Sequence, residues 1–131
     1  MVVNRILGKT QYRKSMVESE GGRRAIVSIA DTWLKRYRGF KSKHAASAVD
    51  GILIYPCSSI HTIGMDFDID VYFLDKDFRV VRRCPSVGPR QCRFIFGARY
   101  ALELKSGQAA FPFASIGEKL SVRDERCWDV Q

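Results

Sequence analysis

The sequence predicts an α+β fold that is predominantly β: a curled, mostly antiparallel sheet or a partly open small barrel, with one or two short helices. Three observations carry this expectation. Short runs of β-branched or alternating apolar residues recur along the chain, separated by Gly, Pro and Asp turn signals. One stretch, residues 33–38, is bounded by clear helix start and stop signals. At 131 residues and 46% hydrophobic side chains the chain holds a single core, and several short strands with little helix must curl to protect their edges.

Residues 1–22 are polar and basic, keep no sustained period after Leu7, and read as a flexible N-terminal tail. A single domain over 23–123 and a C-terminal tail over 124–131 complete the organisation. Residues 24–30 form an apolar β-branched run and read as the first strand. Asp31-Thr32 then caps a short helix that brings Trp33, Leu34 and Tyr37 to one side and stops at Gly39. Ile52 to Tyr55 is a second strand. Pro56 takes the chain out of the sheet, so Cys57 to Gly64 reads as a connection.

From Asp66 to Leu74 the chain alternates, with Phe67, Ile69, Val71 and Phe73 on the core face and Asp66, Asp68, Asp70, Tyr72 and Leu74 opposite. Asp75-Lys76-Asp77 turns the chain into a hairpin with Phe78 to Cys84. Pro85 to Gln91 reads as a loop, Cys92 to Phe96 as a brief strand, and Tyr100 to Lys105 as another alternating strand. Ser106-Gly107-Gln108 opens one more helical turn, and Ile116 to Val122 closes the sheet.

Charge is unevenly placed. The formal +8 resides in residues 1–43, with eleven Lys/Arg against three acids, while the remainder is balanced. Such a third attracts nucleic acid by field alone, which gives one alternative function. No run of about 18 apolar residues offers a transmembrane span, and Asn4 and Arg5 interrupt the N-terminal apolar stretch, so the expectation is a cytoplasmic protein. Cys57, Cys84, Cys92 and Cys127 match no C-x-x-C or zinc spacing and read as free thiols.

Cys57 and His61 are the candidate nucleophile and base, because a thiol needs a base or a positive field to react at neutral pH. Nothing nearby marks an orienting partner or an oxyanion hole, so a Cys/His hydrolase is the second alternative and the leading reading is non-catalytic. Asp66, Asp68 and Asp70 lie on one strand face, roughly 7 Å apart in succession. A straight strand spreads such carboxylates too far for a hard metal, and Arg79, Arg82 or Arg83 on the partner strand would pair with them instead. Neither a metal nor a cofactor is expected.

Ser59-Ile60-His61-Thr62-x-x-Met65-x-Phe67-x-Ile69-Asp70-Val71-x-Phe73-Leu74-Asp75 resembles the signature of the DUF192 family of small uncharacterised domains. Arg36-x-Arg38-Gly39-Phe40, Gly51 to Ile54 before Pro56-Cys57, Leu102-Glu103-Leu104-x-x-Gly107 and Ile116-Gly117-Glu118-Lys119-Leu120 follow the same family in order, over roughly 24–123. The resemblance implies a compact β-rich domain with a small α part and implies no reaction. It also shows two departures. Asp66 and Asp68 stand where basic and proline residues are usual, and Phe78 stands where a turn glycine is common, so Asp77 or Lys76 should absorb the awkward angle. The expected function is a ligand- or protein-binding module. Its patch is Arg36, Ser59, His61, Thr62, Met65 and Asp70, facing a small molecule or an unknown protein partner.

Overall fold

A computed structural model describes residues 12–30, 49–57, 59–61, 67–88, 91–106 and 112–124. Nine strands lie among them: β1 (Lys14–Glu18), β2 (Arg24–Ala30), β3 (Gly51–Ile54), β4 (Ser59–His61), β5 (Ile69–Leu74), β6 (Val80–Val87), β7 (Cys92–Phe94), β8 (Tyr100–Lys105) and β9 (Ser121–Asp124). Seven form one sheet in the order β6-β5-β8-β3-β2-β1-β9, and β4 pairs with β7 in a separate ribbon. Every neighbouring pair in the large sheet is antiparallel except β2 and β3. The fold is therefore a curled, mixed and mostly antiparallel half-barrel. No helix occurs among the described residues; the one expected over 33–38 lies outside them, as does 107–108 of the turn expected after Lys105.

The N-terminal stretch read as tail contributes a full strand. Ser15 and Val17 point inward from β1, and the pattern was hidden because one of those two positions is a serine. Its burial is permitted by a hydrogen bond: Ser15 Oγ donates to the Arg123 carbonyl of β9 at 2.7 Å. The buried Ser19 likewise accepts from the Arg23 amide at 3.1 Å and holds the turn into β2.

β5 corrects a second expectation. All six of its residues are buried, so the face assigned to carboxylates and solvent is also core. Tyr72 and Leu74 join Val17, Val27, Leu53, Leu102, Phe113 and Leu120 in an inner cluster. Ile69, Val71 and Phe73 join Ala30, Ile52, Ile54 and Ala101 in an outer one. Cys57, Phe67, Ile95 and Ala98 pack over that outer cluster. Alternation in β5 thus separates two cores rather than core from water.

Two connections are also shorter than expected. Ser59–His61 is a strand within the 57–64 segment, and β6 runs through Pro85 to Val87. Proline is tolerated because β6 is an edge strand of the sheet, and at position 85 no further strand lies beside it among the described residues. The hairpin turn places Phe78 itself at φ +62°, in place of Lys76 or Asp77. Its ring stacks on Tyr100 at 4.2 Å, and Tyr100 stacks on Tyr55 at 4.8 Å.

The two edges of the sheet meet through the C-terminal segment. Gly117 and Leu120 donate to the Val80 and Phe78 carbonyls, and Val80 donates to Glu118, so this segment pairs with the start of β6. The chain then runs straight into β9, which pairs with β1 at the opposite edge. One continuous strip, residues 117–124, therefore bridges β6 and β1 and encloses the inner cluster.

Candidate functional site

The entry to β5 is where the expected patch can be examined. Asp70 is 6% exposed and has no ion pair among the described residues. Its Oδ1 accepts from the Ser86 amide at 2.8 Å and from Ser106 Oγ at 2.9 Å. Ser86 sits at φ +49° where the β5–β6 register slips, Ile69 pairing with Val87 but Val71 with Cys84. Asp70 thus satisfies the amide that the bulge frees and ties it to the end of β8. Among the described residues Asp68 and Asp70 make no cross-strand ion pair, Asp70 being enclosed and Asp68 exposed; Asp66 lies outside them.

Ser106, held by Asp70, forms one wall of an open cleft of about 510 Å³ whose other lining residues, among those described, are Phe67, Asp68 and Lys105. Ser106 also donates its amide to the Asp68 carbonyl at 3.1 Å, so the two walls are joined at the base. An aromatic, an acidic, a basic and a hydroxyl-bearing residue therefore line one space. Phe67 follows the 62–66 segment of the motif directly in sequence.

Of the other expected site residues, Arg36, Thr62 and Met65 lie outside the described residues, and Ser59 and His61 are described through the β4 backbone, where Ser59 pairs with Phe94 and His61 with Cys92. Cys57 is half-buried against the outer cluster, and its amide donates to the Arg99 carbonyl at 2.7 Å after a cis Tyr55–Pro56 bond. Cys57 and Cys84 are free thiols. Within the basic N-terminal third, Arg24 pairs with Glu18 at 3.1 Å and Arg23 donates to the Pro112 carbonyl, so part of that charge serves the fold.

One residue escaped sequence reasoning altogether. Glu103 on β8 stands between Ile52 and Val71 on the outer-cluster side, and is 3% exposed. Its Oε2 is buried with no hydrogen-bond partner among the described residues, and burial pushes its carboxyl from 4.5 up to about 8. An alternating strand gives no hint of this, because a glutamate between two leucines reads as solvent-facing. The one signal was its place in the Leu102-Glu103-Leu104 block.

The family model for DUF192, described as Uncharacterized ACR, COG1430, matches residues 16–122. The chain belongs to the DUF192 family. That match spans β1 to β9 and includes the Asp70 node, the cleft and Glu103. Among curated proteins none matches the chain. A Novosphingobium aromaticivorans protein of unknown function is 19% identical with a TM-score of 0.66, over 82% of this chain and 83% of that one. A Sinorhizobium meliloti protein called a "putative transcription regulator" is 17% identical with a TM-score of 0.67, over 86% and 96%. A hypothetical protein from Synechocystis is 14% identical with a TM-score of 0.58, over 86% of this chain and 19% of a far longer one. These likenesses establish that the DUF192 fold is shared. No described helix is long and apolar enough to cross a membrane.

Proposed function

We propose that this DUF192 domain is a non-catalytic binding module that takes a small molecule in the cleft at the entry of β5. The carrying observation is the cleft itself, about 510 Å³ with Phe67, Asp68, Lys105 and Ser106 around it. That volume lies within the range of small-ligand sites. Both charge signs beside a ring suit a compact zwitterion with an apolar side. Ser106 spends its hydroxyl proton on Asp70, which leaves its lone pairs for a ligand donor. Cys57 is not among the lining groups, which favours binding over thiol chemistry.

A panel of free amino acids and short amides, followed by amide chemical-shift mapping, tests the reading. Shifts should concentrate at residues 67–70, 105 and 106. Phe67→Ala and Ser106→Ala should each weaken the responding ligand roughly tenfold. His61→Ala and Thr62→Ala in the same assay test whether the motif contributes to the site. A folded protein whose cleft amides respond to no member of the panel would rule the proposal out.

A further inference from the structure

Residues 78–102 contain six arginines, no lysine and no acid. Within that stretch Phe94 and Phe96 are 68% and 93% exposed, while Ile95 between them packs inward on the outer cluster. Outward and inward positions therefore continue to alternate from β7 into the turn, where Gly97 at φ +86° reverses the chain. Two residues of chain span at most about 7 Å, so both exposed rings fall within reach of one short single strand.

Two of these arginines, Arg82 and Arg99, lie beside the last residues of β5. The Arg99 amide donates to the Leu74 carbonyl, which lays the 95–99 turn across the end of β5. There Phe73, on the outer-cluster face, has Arg82 as its cross-strand partner. Arg82 and Arg99 are exposed and make no ion pair among the described residues. Arg93 precedes Phe94 on β7, so its side chain leaves the opposite face; it is half-buried and its Nη2 donates to Gln91 Oε1 at 2.6 Å. The acids that flank the stretch are engaged or enclosed: Asp75 Oδ1 accepts the amides of Asp77 and Arg79 in the hairpin turn, and Glu103 is 3% exposed.

We infer that Arg82, Phe94, Phe96 and Arg99 form a surface for single-stranded nucleic acid, separate from the β5 cleft and from the basic N-terminal third. Guanidinium forks grip phosphodiester oxygens through paired hydrogen bonds, and exposed rings stack on bases without reading sequence. The exclusive use of arginine and the paired rings favour this occupant over an anionic membrane, whose headgroups offer no flat partner for stacking.

Fluorescence anisotropy of the full chain with a labelled oligothymidylate of about 12 nucleotides provides the test. Binding should appear at low salt, and each arginine contact should add about 0.7 to the slope of log affinity against log salt. Phe94→Ala and Phe96→Ala should each weaken binding about tenfold with an unchanged thermal melt, since both side chains are outside the core. Arg82→Gln and Arg99→Gln should flatten the salt slope. Equal binding by the Phe94→Ala/Phe96→Ala double variant would move the contact elsewhere on the chain and overturn the assignment. So would duplex DNA binding as tightly as the single strand. Failure to bind the oligonucleotide, alongside Phe96-dependent retention on phosphatidylserine vesicles, would give the surface to lipid instead.

Discussion

Glu103 and Phe78 are the two residues at which local chemistry runs against its surroundings. A carboxyl enclosed by Ile52 and Val71 is neutral in the folded chain below about pH 8 but ionised in the unfolded chain above about 4.5. The folded state therefore binds the extra proton between those values, and stability falls as pH rises through that window, by at most about 1.4 kcal/mol per pH unit. Glu103→Gln removes this dependence, so chemical denaturation of wild type and variant at pH 5 and pH 8.5 should diverge, with the variant relatively more stable at the higher pH. Phe78 bears a left-handed backbone angle that costs a bulky residue roughly 1 kcal/mol, offset by its stack on Tyr100. Phe78→Gly relieves the angle and loses the ring. Phe78→Ala loses the ring and keeps the strain, so it should melt lower than the glycine variant by roughly 1 kcal/mol in unfolding free energy.

At the scale of elements, the β5–β8 pair positions the cleft, and two close fits hold it. A methyl group on Gly51 would meet the Glu103 carbonyl oxygen at 2.1 Å and the Leu104 side chain at 2.7 Å, so β3 can approach β8 only as glycine. Gly51→Ala should cost about 2–3 kcal/mol by overpacking, read in urea unfolding. Asp70 performs the corresponding service for the β6 bulge. Asp70→Ala leaves the Ser86 amide unsatisfied, which should cost about 2 kcal/mol and accelerate exchange of that amide, while Asp70→Asn keeps an acceptor oxygen and should cost less. These elements also show what could be read from sequence. β2 was predicted residue for residue, because Arg24 to Ala30 carries a dense apolar run. β1 was not, because a buried serine looks polar until its partner strand is known. In the same way, alternation marked β5 but could not reveal that Asp70, Tyr72 and Leu74 enter a second core, since period 2 gives two faces without saying which is dry. The Asp70 contacts to Ser86 and Ser106 join residues 16 and 36 positions away, which only the β5–β6 and β5–β8 pairings bring together.

The whole molecule depends on the strip that joins its two edges. Glu118 is the joint: Oε1 accepts the Ser115 amide at 3.0 Å and Oε2 the Glu20 amide at 2.6 Å, while Glu20 Oε1 takes the Lys119 amide at 3.2 Å. The turn between β1 and β2 and the segment before β9 therefore exchange hydrogen bonds through two carboxylates. Tyr72 accepts the Phe113 amide at 2.8 Å and meets that ring edge-on at 6.2 Å, fastening the segment that leads into the strip to the inner cluster. Hydrogen bonds from backbone amides, Ser115 first, hold the Glu118 carboxyl below its ordinary range. Its contribution is therefore present above the usual carboxylate pKa and is lost as pH falls through the lowered value, the opposite sense to Glu103. Glu118→Ala should remove the acid-side loss along with about 1 kcal/mol of stability at neutral pH. Because the strip closes the half-barrel at both edges, hydrogen exchange in this variant should quicken together at residues 14–18 and at 80, on opposite edges of the sheet. Quickening confined to the 20–23 turn would show that each edge is held independently and that the closure is not cooperative.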